Sequence, residues 1–279
     1  MICGVESVSF AEEVSWTDNA ALTGTLETEW AGMIDDGSTQ KLETILQPEL
    51  NVSLTSDSSL TGILRIRGDA EDKLEPGSPY QDNRSTASSS LYLGDNVDVE
   101  LRELYIDSYF DDTLLRVGKQ QVVWGQADGL KVLDVVNPQS YREFILDDFD
   151  NSRIPLWTIN IEFPVADESL VQLIWLPDTT YNDLQEPVSP YAFSSPRIVP
   201  QTVPGFSTVI LDATKPHKPL SDSDFGARFS TFLDGWDITL NYLYHYKDNP
   251  VFYRQILGTQ VTITPEYKRT HLIGGTARP

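Results

Sequence analysis

Trp236-Asp237-Ile238-Thr239-Leu240-Asn241-Tyr242-Leu243-Tyr244-His245-Tyr246 alternates residue by residue. Trp236, Ile238, Leu240, Tyr242, Tyr244 and Tyr246 fall on one face of an extended chain, and Asp237, Thr239, Asn241, Leu243 and His245 on the other. Aromatic rings close both ends of the apolar face, where an amphipathic ring meets a lipid headgroup boundary. The segment therefore reads as a strand of an outer-membrane β-barrel.

Working outward, the same alternation gives about ten candidate strands. Leu22, Gly24, Leu26, Thr28 and Trp30 oppose Thr23, Thr25, Glu27 and Glu29, and the run from Leu42 to Leu54 sets Leu46, Leu50 and Val52 against Glu43, Gln47 and Glu49. Further strands are read at 60–68, 97–110, 114–124, 157–163, 171–175, 225–233 and 261–277. The phase slips near Arg102-Glu103, which predicts a bulge there. Arg116 and Lys119 have opposite parity in the next strand. The connections alternate between short turns, such as Asp111-Asp112 and Asp234-Gly235, and long segments. That sorting is expected of a barrel with turns at one rim and loops at the other, and a Greek-key domain has no reason for it.

Composition agrees with such a barrel. Hydrophobic residues make up 40% of the chain, and no apolar run approaches the roughly 18 to 20 residues that a spanning helix requires. In hydrocarbon every backbone polar group needs a partner, so a membrane sheet must close. The expected fold is thus an all-β, transmembrane, antiparallel up-and-down β-barrel over 14–279. The pattern stops at Arg278-Pro279 without a terminal aromatic residue, which suggests an incomplete fragment of a barrel of about 14 to 18 strands. Val8-Ser9-Phe10-Ala11 resembles the end of a signal peptide, so residues 1–13 are read as a leader remnant.

The chain carries 42 acidic and 20 basic residues, a formal charge of −22, which argues against nucleic acid as a partner. A lone cysteine, Cys3, leaves no disulfide framework or thiolate zinc site. No phosphate loop, zinc spacing or calcium loop is present. His217, His245 and His271 are the only histidines, and no catalytic set or cofactor site is read. Neither an enzyme nor a metal centre is expected.

The richest run spans 114–163: Leu115-Arg116-Val117-Gly118-Lys119-Gln120-Gln121, then Val123-Trp124-Gly125, Ala127-Asp128-Gly129-Leu130, Leu133-Asp134-Val135-Val136-Asn137-Pro138-Gln139 and Tyr141-Arg142-Glu143-Phe144. It resembles an uncharacterised family of proteobacterial outer-membrane proteins, domain of unknown function number thirteen-oh-two, and more distantly the general porins. The resemblance implies that the long connection at 125–155 folds into the barrel and narrows it, as the third outer loop of porins does. Leu130, Val132, Leu133, Val135 and Val136 are apolar enough to pack against a wall, and Asn137-Pro138 would end that element. The alternative is an external lid.

An acidic constriction of Asp128, Asp134, Glu143, Asp147, Asp148 and Asp150 would face a basic wall of Arg65, Arg67, Arg116, Lys119 and Arg228. Opposed rows of charge orient dipolar solutes and bias ion passage; the plainer reading is that these charges pair and stiffen the barrel. Trp30, Trp157, Trp175, Trp236, Tyr244 and Tyr246 would anchor the interfaces. The expectation is a porin-like channel of the Gram-negative outer membrane for passive diffusion of small solutes, in contact with outer-membrane lipid and lipopolysaccharide. Porin resemblance alone adds a homotrimer. The rivals are a non-conducting barrel (an adhesin, scaffold or export component) and an outer-membrane hydrolase.

Overall fold

A computed structural model describes residues 2–10, 19–77, 83–125, 132–143, 149–195, 199 and 204–279. Its wall is one antiparallel sheet. In chain order the wall strands are β1 (Ile2–Phe10), β2 (Ala20–Gly32), β3 (Thr39–Thr55), β4 (Ser58–Asp69), β6 (Val97–Phe110), β7 (Thr113–Gln120), β8 (Leu156–Ala166), β9 (Ser169–Leu176), β11 (Asp224–Leu233), β12 (Trp236–Tyr246) and β15 (Arg269–Arg278). Each pairs with the next, so the path has eleven strands; β5 (Leu91–Tyr92) pairs beside β6. The edges β1 and β15 carry no ladder to one another among the described residues. Among the described residues one short helix, α1 (Phe149–Ser152), lies between β7 and β8. Among the described residues, no helix is long and apolar enough to cross a membrane.

Neighbouring wall strands meet at one rim through two-residue turns: 56–57, 111–112, 167–168 and 234–235. Asp111, Glu168 and Asp234 adopt positive φ of 51°, 56° and 50° there, as does Gly235 at 87°, which matches the twist of a tight hairpin. The long connections gather at the other rim. Ile2–Phe10, assigned above to a leader remnant, pairs with 24–32 of β2.

Register shows what the alternation does. Leu240 and Tyr242 on the outer face are exposed, while Thr239, Asn241 and Leu243 between them are buried. The same inversion runs around the sheet: Leu42, Leu46, Leu64, Ile106, Val117, Leu173 and Phe225 are exposed, and Glu43, Arg65, Arg67, Asp98, Glu100, Asp107 and Asn160 are buried. Apolar side chains face out and charged ones face in, the reverse of a water-soluble sheet.

The phase slip is a bulge. Ile63 pairs with Glu103 but Leu64 pairs with Leu101, leaving Arg102 as the extra residue. The expected strand over 261–277 is divided. Its first part is β14 (Gln260–Glu266), which joins β13 (Val251–Leu257) and β10 (Ser207–Ile210) in a small separate sheet at the long-connection rim. Only β15 completes the pairing of β12. Alternation could not reveal the division. Val261 and Ile263 are apolar and buried, whereas Ile273, of the same parity, is exposed on the wall's outer face; the parity is shared and only the surroundings differ.

Candidate functional site

The described residues of the 121–155 connection lie against the inner face of the wall. Val122, Trp124 and Val136 bury themselves with Leu156 of β8, Ile174 and Leu176 of β9 and Leu243 of β12, with Val135 and Leu272 of β15 at the margin. Two wall glycines make room: a Cβ on Gly226 would stand 2.7 Å from Trp124 and from Ile174, and one on Gly274 would stand 2.5 Å from Leu133. The Trp124 indole N–H donates to Gln172 Oε1 at 2.7 Å. Asn137 ties the segment's ends together: its Oδ1 accepts from Val122 N at 2.8 Å, and its Nδ2 donates to the Ile154 carbonyl at 2.9 Å.

The segment meets the opposite half of the wall through polar groups. The bulge at Arg102 turns this guanidinium inward, and its Nη2 donates to the Asp150 carbonyl at 2.9 Å. Arg65 Nη2 donates to the Asn151 carbonyl at 3.3 Å. Arg142 binds Glu43 of β3 at 2.7 Å and Glu75 of the 70–90 connection at 2.5 Å. Lys41 of β3 lies among Glu29, Glu43 and Glu143. These three carboxylates are close enough to hold a cation, but the Lys41 ammonium occupies that role. Burial alone would lower the Arg142 pKa, yet Glu43 and Glu75 outweigh it and raise the value. Burial pushes Glu75 up, and Arg142 with Arg67 more than offsets this, so its carboxyl stays below the usual range.

The predicted basic wall is thus engaged largely pair by pair. Arg67 binds Asp98 through both donors at 3.0 and 3.1 Å. Arg116 binds Asp107 at 2.6 Å and stacks on Tyr105, and Arg228 Nη1 reaches the Val123 carbonyl at 3.4 Å. Lys119 stands on the other face of β7 from Arg116, buried, donating to the Leu101 carbonyl at 2.7 Å. On the acidic side, Asp134 and Asp150 both bind Arg153 of the segment itself, at 2.7 and 2.6 Å, and Glu143 pairs with Lys41. Asp128, Asp147 and Asp148 lie outside the described residues. Arg142 and Arg153, which hold the segment, escaped sequence reasoning because a loop has no periodicity to give its residues a face. Glu43 had a signal, its place on the polar face of β3.

The named aromatics occupy the outer face near its two ends. Trp175, Phe225, Tyr244 and His271 share one row across four strands, and Trp30 and Trp157 stand at the same rim. Arg269 stacks on Tyr244 and Tyr246, with its guanidinium carbon 4.6 and 4.3 Å from the ring centroids. Trp236 marks the turn rim. Below the inserted segment a cavity of about 330 Å³ remains, bordered by Arg102, Glu103, Arg116, Gln121 and Asp150.

These features define an all-β protein whose antiparallel sheet carries apolar side chains on one face and charged ones on the other, with part of its own long connection packed on the charged face. The family of proteins of unknown function DUF1302 matches residues 63–277, and the chain belongs to that family. No curated protein matches the chain.

Proposed function

We propose that this protein is a porin-like channel of the Gram-negative outer membrane, a closed β-barrel that passes small solutes by diffusion through a passage narrowed by residues 121–155. The observation that carries the reading is the inversion of polarity across the sheet together with the position of that segment. An exposed apolar girdle bounded by aromatic rows suits lipid and lipopolysaccharide, whereas arginine on that face would cost about 2 to 4 kcal/mol near mid-bilayer. Charged groups inside suit water. Apolar packing joins the segment to the β8–β15 half, so the passage would run along the polar junction with β3, β4 and β6.

The buried apolar cluster also favours a second reading, a barrel sealed by the same segment. Planar-bilayer recording of the full-length protein separates the two. A channel gives stable single-channel currents whose ion preference shifts when Arg65 and Arg228 are replaced by Gln. Protein that shows the heat-dependent gel mobility of a folded barrel but passes no current refutes the channel.

A further inference from the structure

The small sheet at the long-connection rim ends in two unpaired strands. β10 and β13 flank β14, and neither has a second neighbour among the described residues. Both edges are apolar and exposed: Val209, Ile210 and Leu211 at one, and Phe252, Tyr253, Ile256 and Leu257 at the other, with Leu257 77% exposed. The channel reading gives lipid to the wall's outer face, but this sheet belongs to the connections beyond the wall strands, so that reading leaves its edges uncovered. An exposed apolar edge strand is a template for another strand.

The two edges fit each other. β10 runs parallel to β14 and β13 antiparallel to it, so β13 of one copy laid on β10 of another makes an antiparallel ladder. Backbone direction limits the register. Ser207 N and Leu211 N donate to the carbonyls of Thr259 and Ile263, so Thr208 and Ile210 turn their N–H and C=O groups to the free edge. The turn at 258–259 closes on Leu257 and Gln260, which directs the backbone groups of Leu257 and Gln255 to β14 and those of Ile256 and Arg254 to the free edge. Among the registers this allows, the one that sets Ile256 opposite Ile210 also sets Leu257 opposite Val209 and brings Arg254 to Asp212. Apolar groups then meet apolar groups, and a cation meets an anion. Arg254 and Asp212 are both exposed, and neither has an ion-pair partner among the described residues. A formal charge of −22 sets two copies against each other, but residues 206–211 and 250–257 hold Arg254 as their one charged group, so repulsion is least where these edges meet.

We propose that β13 of one copy of this chain pairs with β10 of a second copy, carrying the small sheet from protomer to protomer. The contact is head to tail, each copy offering one edge and receiving the other. The inference goes beyond the channel reading and does not need a conducting pore.

The test is disulfide trapping in the full-length protein, in detergent micelles and with Cys3→Ser as background. Within one copy β14 separates positions 210 and 256 by two strand spacings, about 9.5 Å, beyond the roughly 7 Å that a disulfide spans. Any bridge between them therefore joins two copies. Ile210→Cys combined with Ile256→Cys should give disulfide-linked dimers and higher multiples on non-reducing gels, and either cysteine alone should give none. The unaltered protein should sediment at a multiple of the mass of one copy. Arg254→Asp should reduce it to a single copy, and Arg254→Asp with Asp212→Arg should restore the multiple. Single copies in the unaltered protein, no bridge in the double-cysteine variant, or equal bridging by Ile256→Cys alone overturns the proposal. Should the cysteine variants lose their β-sheet circular dichroism, sedimentation of the unaltered protein and of the charge-exchanged pair decides. Bilayer current from a single-copy species removes this contact and keeps the channel; trapped multiples without current do the reverse.

Discussion

Replacing Trp124 by Ala should loosen the inserted segment while leaving the wall intact. Trp124 is fully buried, between Ile174 and the space left by Gly226, and its indole N–H is spent on Gln172. Truncating a buried tryptophan costs about 3 to 5 kcal/mol, and the lost hydrogen bond accounts for about 1 of that. The wall ladders involve none of these atoms, so the cost falls on the contact between segment and wall. Even the lower figure multiplies the detached population by about a hundredfold. Limited proteolysis reads this directly, because cleavage of a transiently opened segment follows its equilibrium population when reclosing is fast. Cleavage within 121–155 should therefore accelerate about a hundredfold in Trp124→Ala, with heat-dependent mobility preserved and bilayer current increased. Trp124→Phe, which keeps most of the apolar area, should lie between. An unchanged cleavage rate in Trp124→Ala would refute the claim that this ring holds the segment.

Gly118→Ala should destabilise the wall itself. Gly118 has φ of 139°, and a Cβ there would stand 2.1 Å from the Leu104 carbonyl oxygen, so a loss of several kcal/mol, about 3 or more, should appear as a lower temperature for the gel mobility shift. Arg142→Ala strands Glu75 and leaves Glu43 with Lys41 alone; breaking a buried pair costs about 3 to 5 kcal/mol, and protease sensitivity of the 70–90 and 132–143 connections should rise together. Asp248, in the β12–β15 connection, has its pKa pushed up to about 8 by burial and then by Asp224. Because the folded value is raised, its contribution is intact below the unfolded carboxylate value near 4 and is lost as pH climbs toward 8. Asp248→Asn should accordingly raise the unfolding temperature near pH 8, with the difference closing by about pH 4.

The inverted faces were legible in the chain because strand periodicity is local: the side chains of Thr239 and Leu240 must point oppositely whatever surrounds them. The turns at 111–112 and 234–235 and the bulge at Arg102 were legible for the same reason, each being a break in a pattern of period two. The division of 261–277 was not. Neither was the engagement of the arginines, since parity places Arg65, Arg67 and Arg228 on the inner face but is silent on Asp98 reaching Arg67 from β6, and it left Arg116, which Asp107 binds, without a face.

By itself, then, the sequence determined an antiparallel all-β sheet with apolar residues on one face and charged residues on the other, and a long connection too apolar to be left in water. Only the tertiary structure decided where that connection rests, because Trp124 meets Ile174 and Gly226, and Arg142 meets Glu43 and Glu75, across sequence separations that no periodicity spans. Side-chain direction along a strand follows from backbone geometry one residue at a time; which strand stands opposite follows from the closest packing of the whole sheet.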